Sequence, residues 1–121
     1  MKINLKKKPR IFKINVGKKK ITIKDTGEIK LKNNEQITLK HSKSEYDIVK
    51  KDWGYYATPS INDRLKRFDF RTFLIKNSLN KNYIFLVHKN KMKNFKEYCK
   101  NDNQMILAEF TNGIKKIISK S

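Results

Sequence analysis

Arginine is scarce in this chain but concentrated in one stretch. Arg64, Arg67 and Arg71 are three of only 4 arginines, whereas lysines number 26. An arginine presents a planar fork of N–H donors that fits a carboxylate or a phosphate, and a lysine ammonium does not imitate that shape. The only tryptophan and two adjacent tyrosines lie a few residues earlier. These residue types predict an anion-binding corner formed by Arg64, Arg67, Arg71, Trp53, Tyr55 and Tyr56.

A structural role for the same residues is the competing interpretation. Ion pairs are common on protein surfaces, and tryptophan is usually buried. In this interpretation an arginine pairs with a nearby aspartate, and Trp53 fills a gap between layers of the fold. The candidate pairs join Arg64 or Arg71 to Asp47, Asp52 or Asp69.

A second set of cations lies on segments whose residues alternate between apolar and polar. Successive residues of a strand point to opposite faces, so such segments have one apolar and one lysine-rich face. Lysines neutralise phosphates, and the release of counterions drives the association. The face carries no aromatic residue, so it would hold a nucleic-acid backbone without reading bases. The candidate residues are Lys13, Lys24, Lys30, Lys32 and Lys40.

The overall charge agrees with such a partner. The chain has 30 basic and 11 acidic residues in 121, a net charge of +19 at neutral pH. A field of this size attracts polyanions. Lysine, asparagine and isoleucine are also favoured by A/T-rich codons, so compositional drift that leaves a merely solvated surface is the alternative explanation.

The chain offers little that could do catalysis. His41 and His88 have no partner at a spacing that predicts a metal site or a catalytic triad. A lone cysteine, Cys99, is neither a zinc site nor half of an internal disulfide. We therefore expect no catalytic residue, no metal and no cofactor, although a small basic ribonuclease or toxin using His88, Asp52 and Tyr56 stays open as a third function.

Four alternating runs predict the N-terminal elements. After a basic arm at 1–10, the segment 11–44 has period-2 alternation typical of half-buried strands. Lys13 and Thr38 fall on polar faces, and the apolar faces include Phe12, Ile14, Ile21, Ile23 and Leu39. The breaks carry turn residues at Gly17, at 25–27 (Asp-Thr-Gly) and at 33–34 (Asn-Asn). The sequence predicts an antiparallel β-meander.

The remainder mixes strand and helix patterns. Strands are predicted at 46–51, 70–76, 83–88 and 105–110. A helix is predicted to start at Ser60, with Asp63 completing a capping box, and a second helix has an apolar stripe of Met92, Phe95 and Cys99. The order βαββαβ is that of a ferredoxin-like unit, which we assign to 45–111, followed by a basic tail at 112–121. Two strands of this unit, 83–88 among them, are apolar on both faces, and the meander, a second copy or a nucleic acid could cover the second face of the sheet.

The sequence therefore predicts an α+β protein, one compact domain in which a β-meander packs on a ferredoxin-like unit. The leading function is non-catalytic binding of a polyanion, RNA or DNA backbone, with low sequence specificity. The alternative is an accessory module that binds a protein partner, an acidic glycan or a nucleotide-sugar through Trp53, Tyr55 and Arg64. No segment resembles a signal peptide or a membrane span, so we expect a cytoplasmic protein, with a homodimer left open.

Overall fold

The computed structural model describes residues 1–114 of the chain. It is a mixed α+β structure in which strands predominate. The strands are β1 (Lys2–Val16), β2 (Lys19–Lys30), β3 (Gln36–His41), β4 (Ser44–Lys51), β5 (Gly54–Ala57), β6 (Phe70–Lys76), β7 (Asn82–His88) and β8 (Met105–Glu109). The helices are α1 (Arg64–Arg67) and α2 (Met92–Asn101), and α2 is preceded by a single 3-10 turn at Lys89–Lys91.

The chain forms two compact units. The first contains Met1–His41 and Glu45–Thr58, and the second contains Ser42–Ser44 and, of the described residues, 59–114. Strand β5 and the part of β4 from Glu45 onward thus belong with the N-terminal strands.

Strands β1 and β2 form a long antiparallel hairpin in the first unit. Gly17, with φ of 61°, begins the turn between them, as its residue type predicts. Phe12 lies opposite Ile23, and Ile14 lies opposite Ile21, so one face of the hairpin is apolar. The segment 1–10, expected as a separate basic arm, is largely the first part of β1 because it continues this pairing.

An irregularity interrupts the hairpin register between Leu5 and Arg10. Beside it, Lys6 donates to the carboxylate of Asp25 at 2.7 Å, which lowers the pKa of that carboxyl. Gly27 lies so close to β1 that a Cβ there would stand 2.5 Å from the backbone oxygen of Asn4. The Asp-Thr-Gly sequence at 25–27 therefore lies within β2, where this strand closely approaches β1, and does not form the turn that we predicted.

The first unit also contains a three-stranded sheet in the order β3-β4-β5. The Asn-Asn turn before β3 is confirmed, since Asn34 has φ of 66° and its N–H donates to the backbone oxygen of Lys50. Thr38 of β3 donates to the buried carboxylate of Asp47 at 2.5 Å, whereas Leu39 is 55% exposed. Ile37 and Thr38 are both half-buried and Leu39 is exposed, so β3 follows the predicted alternation only in part.

The second unit is built on a sheet in the order β7-β6-β8, antiparallel throughout. Helix α2 contributes Phe95 and Cys99 to a core that includes Phe73 and Ile75 of β6 and Val87 of β7. Ile75 is fully buried, and the rings of Phe73 and Phe95 lie 5.2 Å apart. The apolar stripe predicted for a helix around Met92, Phe95 and Cys99 is therefore confirmed.

The predicted helix near Ser60 is shorter than its pattern suggests. Only Arg64–Arg67 are α-helical, and the N–H of Arg64 donates to the hydroxyl of Ser60 at 3.2 Å. Asp63, expected to complete a capping box with Ser60, instead pairs with Arg67. Leu65 is the buried residue of this helix, with 1% of its surface exposed.

The α+β class predicted from the sequence is confirmed. The finer ferredoxin-like arrangement is not confirmed by the strand pairing, because β4 lies between β3 and β5 and not beside β6, β7 or β8. The reason is a two-residue turn at Asp52 and Trp53, followed by Gly54 with φ of 142°, which returns the chain as β5. The predicted strand 46–51 therefore pairs with β5, the strand that follows it directly in the chain.

The end of the predicted basic tail, from residue 115, lies outside the described residues. No helix within residues 1–114 is long and apolar enough to cross a membrane.

Candidate polyanion-binding surfaces

The β1–β2 hairpin presents a face rich in lysine. Residues at alternate positions of a strand share one face, so Lys20, Lys24 and Lys30 of β2 point the same way. The register adds Lys13 and Lys2 of β1 to this face. All of these side chains are exposed. We call the set Lys2, Lys13, Lys20, Lys24 and Lys30 the lysine face.

The lysine face has little internal neutralisation. In the part of the chain that the structure describes, Lys13, Lys24 and Lys30 form no ion pair with a carboxylate. Lys2 lies directly opposite Lys30, a like-charge arrangement that weakens a strand pair. Alternation places one acidic residue, Glu28, on this face, opposite Asn4. The face thus presents ammonium groups that an external anion can bind.

Two of the predicted phosphate-binding lysines lie elsewhere. Lys32 follows β2 in the turn before β3, where its side chain is exposed and its N–H donates to the Glu35 carboxylate at 2.7 Å. Lys40 lies on β3 and forms an ion pair with Glu45 at 3.5 Å. The hairpin therefore brings Lys13, Lys24 and Lys30 onto one face, and Lys32 and Lys40 are not part of it. Lys2 and Lys20 were not among the predicted residues, although period-2 alternation also places Lys20 on this face.

The predicted arginine cluster is divided between two elements of the second unit. Arg64 and Arg67 lie on α1, and Arg67 pairs with Asp63 at 2.9 Å on the exposed side of this helix. Arg71 lies on β6 and pairs with Glu109 of β8. The partners predicted for Arg71 were Asp47, Asp52 or Asp69, and Glu109, 38 positions away along the chain, was not among them.

Arg71 and Glu109 line a groove of about 470 Å³ in the second unit. The hydroxyl of Thr111 also donates to Glu109, at 2.6 Å, and Lys66 donates to the side chain of Asn112. The hydrogen bonds from Arg71 and Thr111 lower the pKa of Glu109. The hydrogen bond to Glu109 in turn raises the pKa of Arg71. The groove is lined by Lys66, Asp69, Phe70, Arg71, Lys89, Glu109, Thr111 and Asn112.

The aromatic residues of the predicted corner belong to the first unit. Trp53 is 68% exposed, so it does not fill a gap between layers as the structural interpretation expected. Tyr55 and Tyr56 on β5 are also exposed. The ring of Trp53 stacks on Tyr56 with 6.0 Å between centroids, and the ammonium of Lys50 lies over Tyr55 at 5.6 Å. We call Trp53, Tyr55 and Tyr56 the aromatic hairpin.

The residues of the catalytic alternative are likewise divided. Asp52 and Tyr56 lie in the first unit, whereas His88 lies at the end of β7 in the second, with its ring 4.4 Å from that of Phe70. Among the described residues, no group of three or more His, Cys, Asp or Glu side chains is placed to hold a metal ion. Burial raises the pKa of the Cys99 thiol, which favours an unreactive core residue.

Comparisons with known proteins add no further constraint: no protein-family model, curated protein or solved structure matches this chain. A functional proposal therefore depends on the chemistry of the surfaces described above.

Proposed function

We propose that this protein binds polyanions without catalysis, and that its partner is the backbone of RNA or DNA. The single observation that carries the proposal is the β1–β2 register, because it collects the lysine face on one exposed surface. The net charge of +19 supports it further, since such a field increases the rate at which anions are encountered.

The physical basis is the exchange of counterions. Each lysine that contacts a phosphate displaces a condensed cation from the nucleic acid, and this release favours binding at low salt. Strands rise by about 3.3 Å per residue, so Lys20 and Lys30 are roughly 33 Å apart along β2. A bound backbone would therefore meet several ammonium groups in succession.

Binding should also stabilise the hairpin. Lys2 and Lys30 repel each other across the strand pair in the free protein. A phosphate between them would replace this repulsion by two attractions. Ligand and hairpin would then stabilise one another by mass action.

Low sequence specificity follows from the type of contact. Ammonium–phosphate contacts fix a backbone but carry no information about bases. The lysine face has no aromatic residue on the described strands β1 and β2 that could stack on a base.

The direct test is the salt dependence of oligonucleotide binding by the full chain. We expect the logarithm of the association constant for mixed-sequence RNA and DNA to fall linearly with the logarithm of salt concentration between about 50 and about 200 mM. The control is an unrelated protein of equal net charge. Binding no stronger than that of the control would contradict the proposal.

The other functions stay predictions. The accessory module acting through Trp53, Tyr55 and Arg64 and the small ribonuclease are not supported by a specific observation beyond those given above. A cytoplasmic location is likewise a prediction from the sequence.

A further inference from the structure

The most exposed aromatic side chain of the first unit is held at a defined position. Trp53 lies in the two-residue turn between β4 and β5, where Lys51 pairs with Gly54. Its ring is nearly parallel to that of Tyr56, at an angle of 16°. A stacked partner fixes the orientation of the indole while 68% of the residue surface stays accessible. A large aromatic surface is therefore presented to solvent without a covering layer.

Lysines adjoin the turn that carries Trp53. Lys50 and Lys51 immediately precede the turn, and their ammonium groups donate to the side-chain oxygens of Asn33 and Asn34 respectively. The N–H of Asn34 in turn donates to the backbone oxygen of Lys50 at 2.8 Å. These bonds join the turn before β3 to the turn before β5. Lys32 is exposed and directly precedes Asn33 in the chain.

The acidic groups of the region are Glu35 and Asp52. The carboxylate of Glu35 already accepts the N–H of Lys32 and contacts the Met1 ammonium, and both contacts lower its pKa. Asp52 is exposed within the turn itself. Lys32, Lys50 and Lys51 together outnumber these carboxylates, so the surroundings of Trp53 favour an anionic ligand.

We infer that Trp53 and Tyr56, which stack on one face of the aromatic hairpin, are a platform for the bases of a single-stranded nucleic acid, with Lys51 on the same face for the phosphates. Tyr55 and Lys50 lie on the opposite face, because successive residues of a strand alternate. The inference rests on the proposed function and names its substrate class. Single-strand binders combine a cationic track with aromatic side chains, because every base has a π-face and stacking tolerates any sequence. In duplexes the bases are already stacked on each other, so the platform selects for unpaired strands.

Trp53 makes the inference directly measurable. It is the only tryptophan of the chain, so any change in indole fluorescence reports on this site alone. The probes are an oligo(dT) of about 12 nucleotides, which suits the site sizes of single-strand binders, and an abasic deoxyribose-phosphate oligomer of the same length and charge. We expect oligo(dT) to quench the fluorescence and to bind more tightly than the abasic oligomer.

Substitution separates stacking from charge. Trp53→Ala should weaken oligo(dT) binding roughly 5-fold to 150-fold, the range for removal of one stacking partner. It should leave binding of the abasic oligomer unchanged. Trp53→Phe keeps an aromatic face and should lose less. Tyr83→Ala removes an exposed aromatic residue of β7 in the other unit and is the matched control, with no expected effect.

Each outcome decides between the two proposals. If both oligomers bind equally and the fluorescence does not change, the platform is wrong and the lysine-face proposal stands. If neither binds above the charge-matched control protein, the proposed function fails and the platform fails with it. If a heparin oligosaccharide quenches Trp53 more strongly than oligo(dT), the site is a glycan site and the inference is overturned.

Discussion

Arg71 and Glu109 are joined by two parallel hydrogen bonds across the β6–β8 pair. Arg71 Nε donates to Glu109 Oε2 at 2.8 Å, and Nη2 donates to Oε1 at 2.6 Å. The guanidinium also lies 5.3 Å from the centre of the Phe73 ring. The guanidinium of Arg71, which the sequence predicted to bind an external anion, therefore binds a carboxylate of the same chain.

This pairing predicts a structural effect for Arg71→Lys. The lysine keeps the charge but loses the two-point contact, so the free energy of unfolding should fall by at most about 1 kcal/mol, because both side chains are still about one-third exposed and water screens the pair. Oligonucleotide affinity should not change. Urea unfolding measures the stability, and fluorescence anisotropy measures the oligonucleotide affinity. The control is Arg67→Lys, which alters the exposed Arg67–Asp63 pair. A large loss of affinity with intact stability would instead make Arg71 a ligand-binding residue.

The same pair predicts how stability depends on pH. The folded-state pKa of Glu109 lies below its usual value of 4.5 because Arg71 donates to the carboxylate. A depressed pKa contributes stability that is present above the unfolded value and is lost as pH falls through the folded value. The wild type should therefore lose this contribution progressively as pH falls below about 4.5.

Glu109→Gln isolates that contribution from those of other carboxylates. The variant should be less stable than the wild type at neutral pH, and the difference between them should shrink as the solution is acidified. Urea unfolding at several pH values gives the comparison. A difference that is constant with pH would contradict the assignment.

Gly27 predicts a local effect on the hairpin. In Gly27→Ala the new Cβ meets the backbone oxygen of Asn4 at 2.5 Å, and a backbone atom cannot move aside as a flexible side chain can. The strand pair should open locally or lose about 1–3 kcal/mol, the usual cost of overpacking. Hydrogen exchange of the β1 and β2 amides measures this. Thr26→Ala, on the neighbouring exposed residue, should leave exchange unchanged, and equal rates for both variants would show that the close approach is wrong.

Alternation along single strands was the most informative part of the sequence. It correctly placed Phe12, Ile14, Ile21 and Ile23 on one face of the hairpin and Lys13 on the other, because a strand's period of two needs no long-range information. It failed at Thr38 and Leu39, because Thr38 donates to the buried carboxylate of Asp47 on the neighbouring strand and Leu39 is exposed. The alternation of one strand does not show which acceptor the next strand provides.

Relationships between distant residues could not be predicted. Nothing in the sequence near Arg71 identifies Glu109 as its partner, since the β6–β8 pairing brings together residues 38 positions apart. The glycine of residues 25–27 was interpreted as a turn because glycine marks both turns and close strand approaches. The exposure of Trp53 follows from a turn that the pattern around Asp52 did not reveal.

The central claim is that the lysine face, and not net charge alone, binds the polyanion. The most direct measurement compares two triple variants of equal charge: Lys13→Gln, Lys24→Gln, Lys30→Gln on the hairpin, and Lys93→Gln, Lys96→Gln, Lys100→Gln on the exposed side of α2. We predict that the hairpin variant loses most of its affinity for single-stranded RNA, with a salt slope shallower by about 2, as expected for three lost phosphate contacts. The helix variant should stay close to the wild type. Equal losses in the two variants would contradict the account, because they would show that only the total charge matters.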